Sequence, residues 1–112
     1  MDDDVRRAVA ALAFSKVRGE LTGPMYSHDQ GTHSRISTSG EGLYDHESGS
    51  HIIGSGSAYY HHGTESHLSI TVNGTSFSGY DYDSLNHFTG TVRGSTVQLY
   101  DYGAAAYFTY QF

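Results

Sequence analysis

The sequence predicts an all-β protein: an antiparallel meander of about ten short strands, made of five hairpin repeats and forming a closed or flattened barrel. One N-terminal α-helix packs on this barrel or plugs it. Three observations carry the expectation. The 112 residues include fourteen Gly and ten Tyr but one Pro and neither Cys nor Trp, and past residue 20 the composition suits strands and tight turns. Residues 71–90 align without gaps on 91–110, with eight of twenty positions identical. Finally, the unit Tyr-x-[His/Tyr]-x4-[His/Tyr] starts at Tyr26, Tyr44, Tyr60, Tyr80 and Tyr100, at intervals of 18, 16, 20 and 20 residues. Self-similarity at a steady period marks a repeated supersecondary unit.

The helix is expected over residues 2–18. Asp2, Asp3 and Asp4 suit its first turn, Lys16 and Arg18 its last, and Gly19 the position just beyond. Val5, Val9 and Leu12 line one side while Ala10, Phe14 and Val17 line another, so the helix should lie between surfaces rather than on one. Residues 21–112 form the repeat-built body, and the whole chain, 1–112, reads as one domain.

Each repeat reads as a hairpin. Turn signals separate the units: Ser39-Gly40, Gly54–Ser57, Asn73-Gly74 and Arg93-Gly94. The four residues inside each unit form the loop at the opposite end. Placing Val72 opposite Thr75, and Tyr82 opposite His87, sorts the side chains cleanly because strand residues alternate between faces. One face collects Leu21, Met25, Ile36, Leu43, Ile52, Tyr59, Leu68, Ile70, Val72, Phe77, Phe88, Val92, Val97, Leu99, Phe108, Tyr110 and Phe112. The other is Tyr, His, Ser and Thr, with Ile53 as the exception. A twisted ten-stranded sheet with one apolar face should close on itself. A helix-covered open sheet that dimerises is the other solution.

Charge narrows the function classes. The formal net charge is −6, and residues 21–112 carry Arg35 and Arg93 against eight carboxylates. Such a body is a poor ligand for nucleic acid or an anionic membrane surface. The start of the chain has acids first and no small-residue cleavage site, so no signal peptide is read there, and no run is long enough for a membrane-spanning helix; a soluble protein is expected. Localisation is otherwise left open.

Three groups of residues carry candidate chemistry. His28/His33, His46/His51 and His62/His67 are each five apart, and across a four-residue loop would be cross-strand neighbours. Such imidazole pairs suit Zn or another divalent metal such as Ni or Cu. Against this, the fourth and fifth units replace one or both histidines by Tyr, and duplication alone repeats a wet-face residue. Asp45, Asp81 and Asp101 recur on the inward face, where they would act as a ligand or acid row or cap their neighbouring loops. No catalytic residues are assigned, because no nucleophile elbow, phosphate loop or dinucleotide fingerprint occurs.

The features together favour a non-enzymatic binding or interaction module with a Tyr/His/Ser/Thr-rich outer face. A protein partner or homodimer is the expected contact, and a secreted bacterial effector-type domain the suggested setting. One alternative is a His-mediated metal-binding or pH-responsive protein, with no other cofactor implied. A second is a small-ligand barrel using the inward Asp residues. A filled lumen would argue against a container.

Overall fold

In a computed structural model, the helix α1 (Asp3–Arg18) precedes ten strands: β1 (Pro24–Ser27), β2 (Thr32–Ser39), β3 (Gly42–Asp45), β4 (Ser50–Ser55), β5 (Ala58–His61), β6 (Ser66–Asn73), β7 (Ser76–Asp81), β8 (Asn86–Arg93), β9 (Thr96–Asp101) and β10 (Ala106–Gln111). The structure describes residues 1–19, 21, 24–39 and 42–112. Each strand pairs antiparallel with its sequence neighbours, and β1 pairs with β10 to close the barrel. The closing joint is short, with Tyr26 opposite Gln111 and Ser27 opposite Tyr110. The predicted meander of five hairpins and one helix is the fold observed.

The helix does more than cover an end. Nine consecutive residues, Val5 to Ala13, are buried, which is two and a half turns and therefore every side of the helix. It touches β2 and β3 as well as β6, β8 and β9, which lie on different sides of the ring. Its N-terminal arginines meet Asp45 and Asp101 beside the four-residue loops. At the other end Lys16 donates to the Gly56 carbonyl and Arg18 to that of Gly94, both in two-residue turns. A sixteen-residue helix is about 24 Å long, close to the 29 × 27 × 25 Å extents of the molecule. α1 therefore threads the lumen from end to end. Ala8, Ala10, Ala11 and Ala13 keep it slim, and Leu12, Ile36, Leu43, Ile70, Phe88 and Leu99 fill the space between helix and wall.

The predicted register needs a correction that leaves the faces intact. Val72 pairs with Phe77 rather than Thr75, and Tyr80 rather than Tyr82 pairs with His87. Both are slips of two residues, and side chains alternate with period two, so every residue keeps its expected face. The cause lies in the turns. Gly56, Gly74 and Gly94 have φ of 64°, 65° and 58° and occupy the first central position, so the two-residue turns are Gly-Ser or Gly-Thr rather than Asn-Gly or Arg-Gly. The Ser39-Gly40 turn reaches outside the described residues.

The four-residue loops share one shape. Their last residue is left-handed in all five: Gly31, Gly49, Glu65, Leu85 and Ala105, with φ between 53° and 66°. Asp81 consequently faces Asn86, not Phe88, while Phe88 faces Gly79 and Phe77 faces Gly90. The last two are reciprocal ring-over-glycine pairs on the inner face.

Candidate functional site

The inner polar row comes first, since it decides what the lumen can do. Asp45, Asp81 and Asp101 are buried at 0%, 1% and 0% exposure, each ending the strand before a four-residue loop. Each accepts from its own loop: Asp45 from the N–H groups of Glu47 and Ser48, Asp81 from that of Asp83 and from the Ser84 hydroxyl, Asp101 from those of Gly103 and Ala104. This is the Asx-type capping that competes with a catalytic reading. Two of the three also hold the helix. Arg7 donates to Asp45 Oδ2 through Nε at 3.0 Å and Nη2 at 2.6 Å, and Arg6 Nη1 reaches Asp101 Oδ2 at 3.1 Å. Arg6 also pairs with Asp3, lies 4.0 Å over the Phe108 ring, and Arg7 pairs with Asp4 at 2.7 Å.

Sequence reasoning missed this docking. Its signal was an Arg6-Arg7 pair inside an apolar helical run, in a chain whose body carries inward acids at equivalent positions of three hairpins and few cations. Asp45 and Asp101 face the paired arginines, and Asp81 its own loop, rather than an open chamber.

His61 takes the acid's place in the third hairpin and is fully buried. Its Nδ1 accepts from the Thr64 N–H, while Nε2 has no partner among the described residues. Burial holds this imidazole below its ordinary value of 6.5, against the pull of Asp4 and Asp45 and with a small assist from Arg7. For Asp101 burial works against the charge, but the Met1 ammonium and then Arg6 hold the carboxyl below its ordinary 3.8.

The linkage has a definite sign. As pH falls below 6.5 the unfolded chain takes a proton that folded His61 refuses, so stability declines by up to about 1.4 kcal/mol per pH unit. Asp101 adds a second loss as pH falls below 3.8 and on through its lower folded value. His61→Asn keeps an acceptor for Thr64 and removes the titration. Urea midpoints at pH 7.5, 6.0 and 5.0 should fall less steeply for this variant than for wild type; equal slopes would exclude His61 as the source.

The outer face repeats one aromatic cluster five times. Each has a half-buried central Tyr flanked by the ring two residues on and the ring directly across the hairpin. Tyr26 contacts His28 and His33 at 5.1 and 4.6 Å between ring centres, Tyr44 contacts His46 and His51 at 4.8 and 4.7 Å, and Tyr60 contacts His62 and His67, both at 4.7 Å. Tyr80 lies between Tyr82 and His87 at 4.8 and 4.6 Å, and Tyr100 between Tyr102 and Tyr107, both at 4.8 Å. The first flanking ring meets its central Tyr edge-on in every copy, the arrangement that aromatic quadrupoles favour.

All six candidate metal histidines, His28, His33, His46, His51, His62 and His67, are exposed on this face. They are not cross-strand pairs: Tyr26, Tyr44 and Tyr60 stand opposite His33, His51 and His67. The two-residue register slip moved the first histidine of each pair into the loop and put a tyrosine ring between the imidazoles. Among the described residues, no three His, Asp or Glu side chains converge so as to hold a metal ion.

Between hairpins the clusters join. The loop N–H groups of His62, Tyr82 and Tyr102 donate to the carbonyls of His51, His67 and His87 at 2.9, 3.0 and 3.2 Å. These bonds set the second to fifth clusters side by side as one arc. The arc ends where Arg35 meets His46 and Thr109 meets His28. Tyr82, Tyr102 and Tyr107 are 57%, 56% and 61% exposed along it.

Below the arc, successive strand pairings line up hydroxyl rows. One runs Thr71–Ser78–Thr89–Tyr100–Tyr107 and the next Asn73–Ser76–Thr91–Gln98–Thr109. Small residues beside the two tyrosines leave an open groove of about 640 Å³ over β6–β10.

No known family model matches this chain, and neither does any curated protein or solved structure. Among the described residues, no helix is long and apolar enough to cross a membrane.

Proposed function

We propose that the protein is a non-enzymatic recognition module that binds through the outer face at the four-residue-loop end of its barrel. The observation that carries the reading is the arc of contiguous aromatic clusters. Four copies of a Tyr-centred triad are held edge to edge by backbone hydrogen bonds and turned toward solvent. Tyrosine offers a large contact area at low conformational cost, and the rings here are already ordered by one another. The occupied lumen supports the same reading, since the inward acids serve the helix and the loops.

The test uses an array of oligosaccharides and peptides probed with the labelled protein. Wild type is expected to bind a defined subset saturably. A Tyr82→Ser/Tyr102→Ser/Tyr107→Ser variant, with all three changes at exposed positions, should keep its thermal transition and lose those ligands. Binding undiminished in that variant, or no saturable ligand on the array, would reject the proposal.

A further inference from the structure

We infer that the groove over β6–β10 is a binding site for an uncharged, hydroxyl-rich chain, a neutral oligosaccharide. This inference rests on the recognition reading above and names its ligand class. The first support is charge. Histidine aside, Arg93 is the one charged side chain that these five strands put on the outward face, and a carboxylate from outside them, Asp29, reaches the Thr109 N–H but not the groove lining. A sheet face kept merely soluble ordinarily mixes acids and bases. This one presents hydroxyls and amides to a ligand that brings no charge to neutralise.

The second support is unspent hydrogen-bonding capacity. Among the described residues the hydroxyls of Thr71, Ser78, Thr89 and Thr91 and the Gln98 amide have no side-chain hydrogen bond, whereas nearby Thr96, Gln111 and Ser95 are tied to one another. A hydroxyl both donates and accepts, which is what a sugar hydroxyl requires of its partner. Three of the four hydroxyl residues are threonines, whose χ1 is stiff, so little rotamer freedom remains to be lost on binding.

The third is shape. Tyr100 and Tyr107, in contact at 4.8 Å, form a wall at one side of the hydroxyl floor. An aromatic face beside a hydroxyl floor accommodates a pyranose ring, which has apolar C–H faces and polar edges. A volume of about 640 Å³ falls within the range of small-molecule sites.

The experiment titrates neutral hexasaccharides (gluco-, manno- and chito-oligosaccharides) and an acidic uronate hexamer into the intact protein by calorimetry. At least one neutral sugar should bind saturably and the uronate should not. Ser78→Ala/Thr89→Val removes two hydroxyls while keeping the strand shapes. It should weaken binding at least tenfold, the loss of two ordinary hydrogen bonds, with an unchanged thermal transition. Binding that survives the double substitution, or goes only to the uronate, overturns the inference. So does a result in which no sugar binds while peptides bind in a Tyr82/Tyr102/Tyr107-dependent way, although the recognition module itself would then stand. Silence from sugars and peptides alike removes both.

Discussion

Asp45→Ala is expected to lower the unfolding free energy by about 3–5 kcal/mol, the usual result of stranding one partner of a buried ion pair. Arg7 would keep only Asp4, a carboxylate that is 40% exposed, and the β3–β4 loop would lose the acceptor for Glu47 and Ser48. That is a large part of the 5–15 kcal/mol typical of a whole domain. Arg7→Met should be comparably harmful. The double variant Arg7→Met/Asp45→Leu should recover much of the loss, because an apolar pair of similar volume is often no worse than a buried ion pair. Urea midpoints for the four proteins form a double-mutant cycle. Additive losses would mean that Arg7 and Asp45 are not coupled.

Gly90→Ala is expected to cost about 3 kcal/mol, the upper end of ordinary overpacking. A Cβ there would lie 2.3 Å from the Phe77 ring and 2.4 Å from the Gln98 carbonyl oxygen. Rotating the ring relieves the first clash only; the second requires β9 to move. Gly79 is bound in the same way, by Phe88 at 2.5 Å and the Ser69 carbonyl at 1.9 Å. Trimming Phe77 to Leu in the Gly90→Ala background should therefore rescue little. Thermal unfolding measures it, and a shift within 2 °C for Gly90→Ala would contradict the steric account.

How much was readable in advance follows from what a two-residue period can encode. Alternation separates faces, so the inner set of Ile36, Leu43, Ile70, Phe77, Phe88 and Leu99, and the outer tyrosines and histidines, were assigned correctly from sequence. Alternation is blind to a shift of two residues, and there the reading failed. Val72 was given the wrong partner, and His28/His33, His46/His51 and His62/His67 became false pairs. The positive φ of Gly74 and Gly94 set the true register, and no pattern of apolar residues reports it. The inward acids and their loop-capping role were legible too, but the arginines that two of them hold were not. Arg7 lies 38 residues from Asp45 and Arg6 lies 95 from Asp101 along the chain, and nothing local ties them together. The helix showed apolar residues on more than one side, which suggested two packing surfaces. That the surfaces are one continuous wall depends on the pairing of β1 with β10, the strand pairing most remote in sequence.

That remote pairing has a consequence for disassembly. A core rod enclosed by an unbroken hydrogen-bonded ring is released sideways by parting two strands, and the joint with the fewest register pairs parts first. With register pairs limited to Tyr26–Gln111 and Ser27–Tyr110, the β1–β10 joint is the seam where unzipping begins. Native-state hydrogen exchange should find those amides the least protected of the ladder. The N-terminal hairpin then acts as the clasp of a staved vessel, and its hold on β10 governs how long the rod stays enclosed.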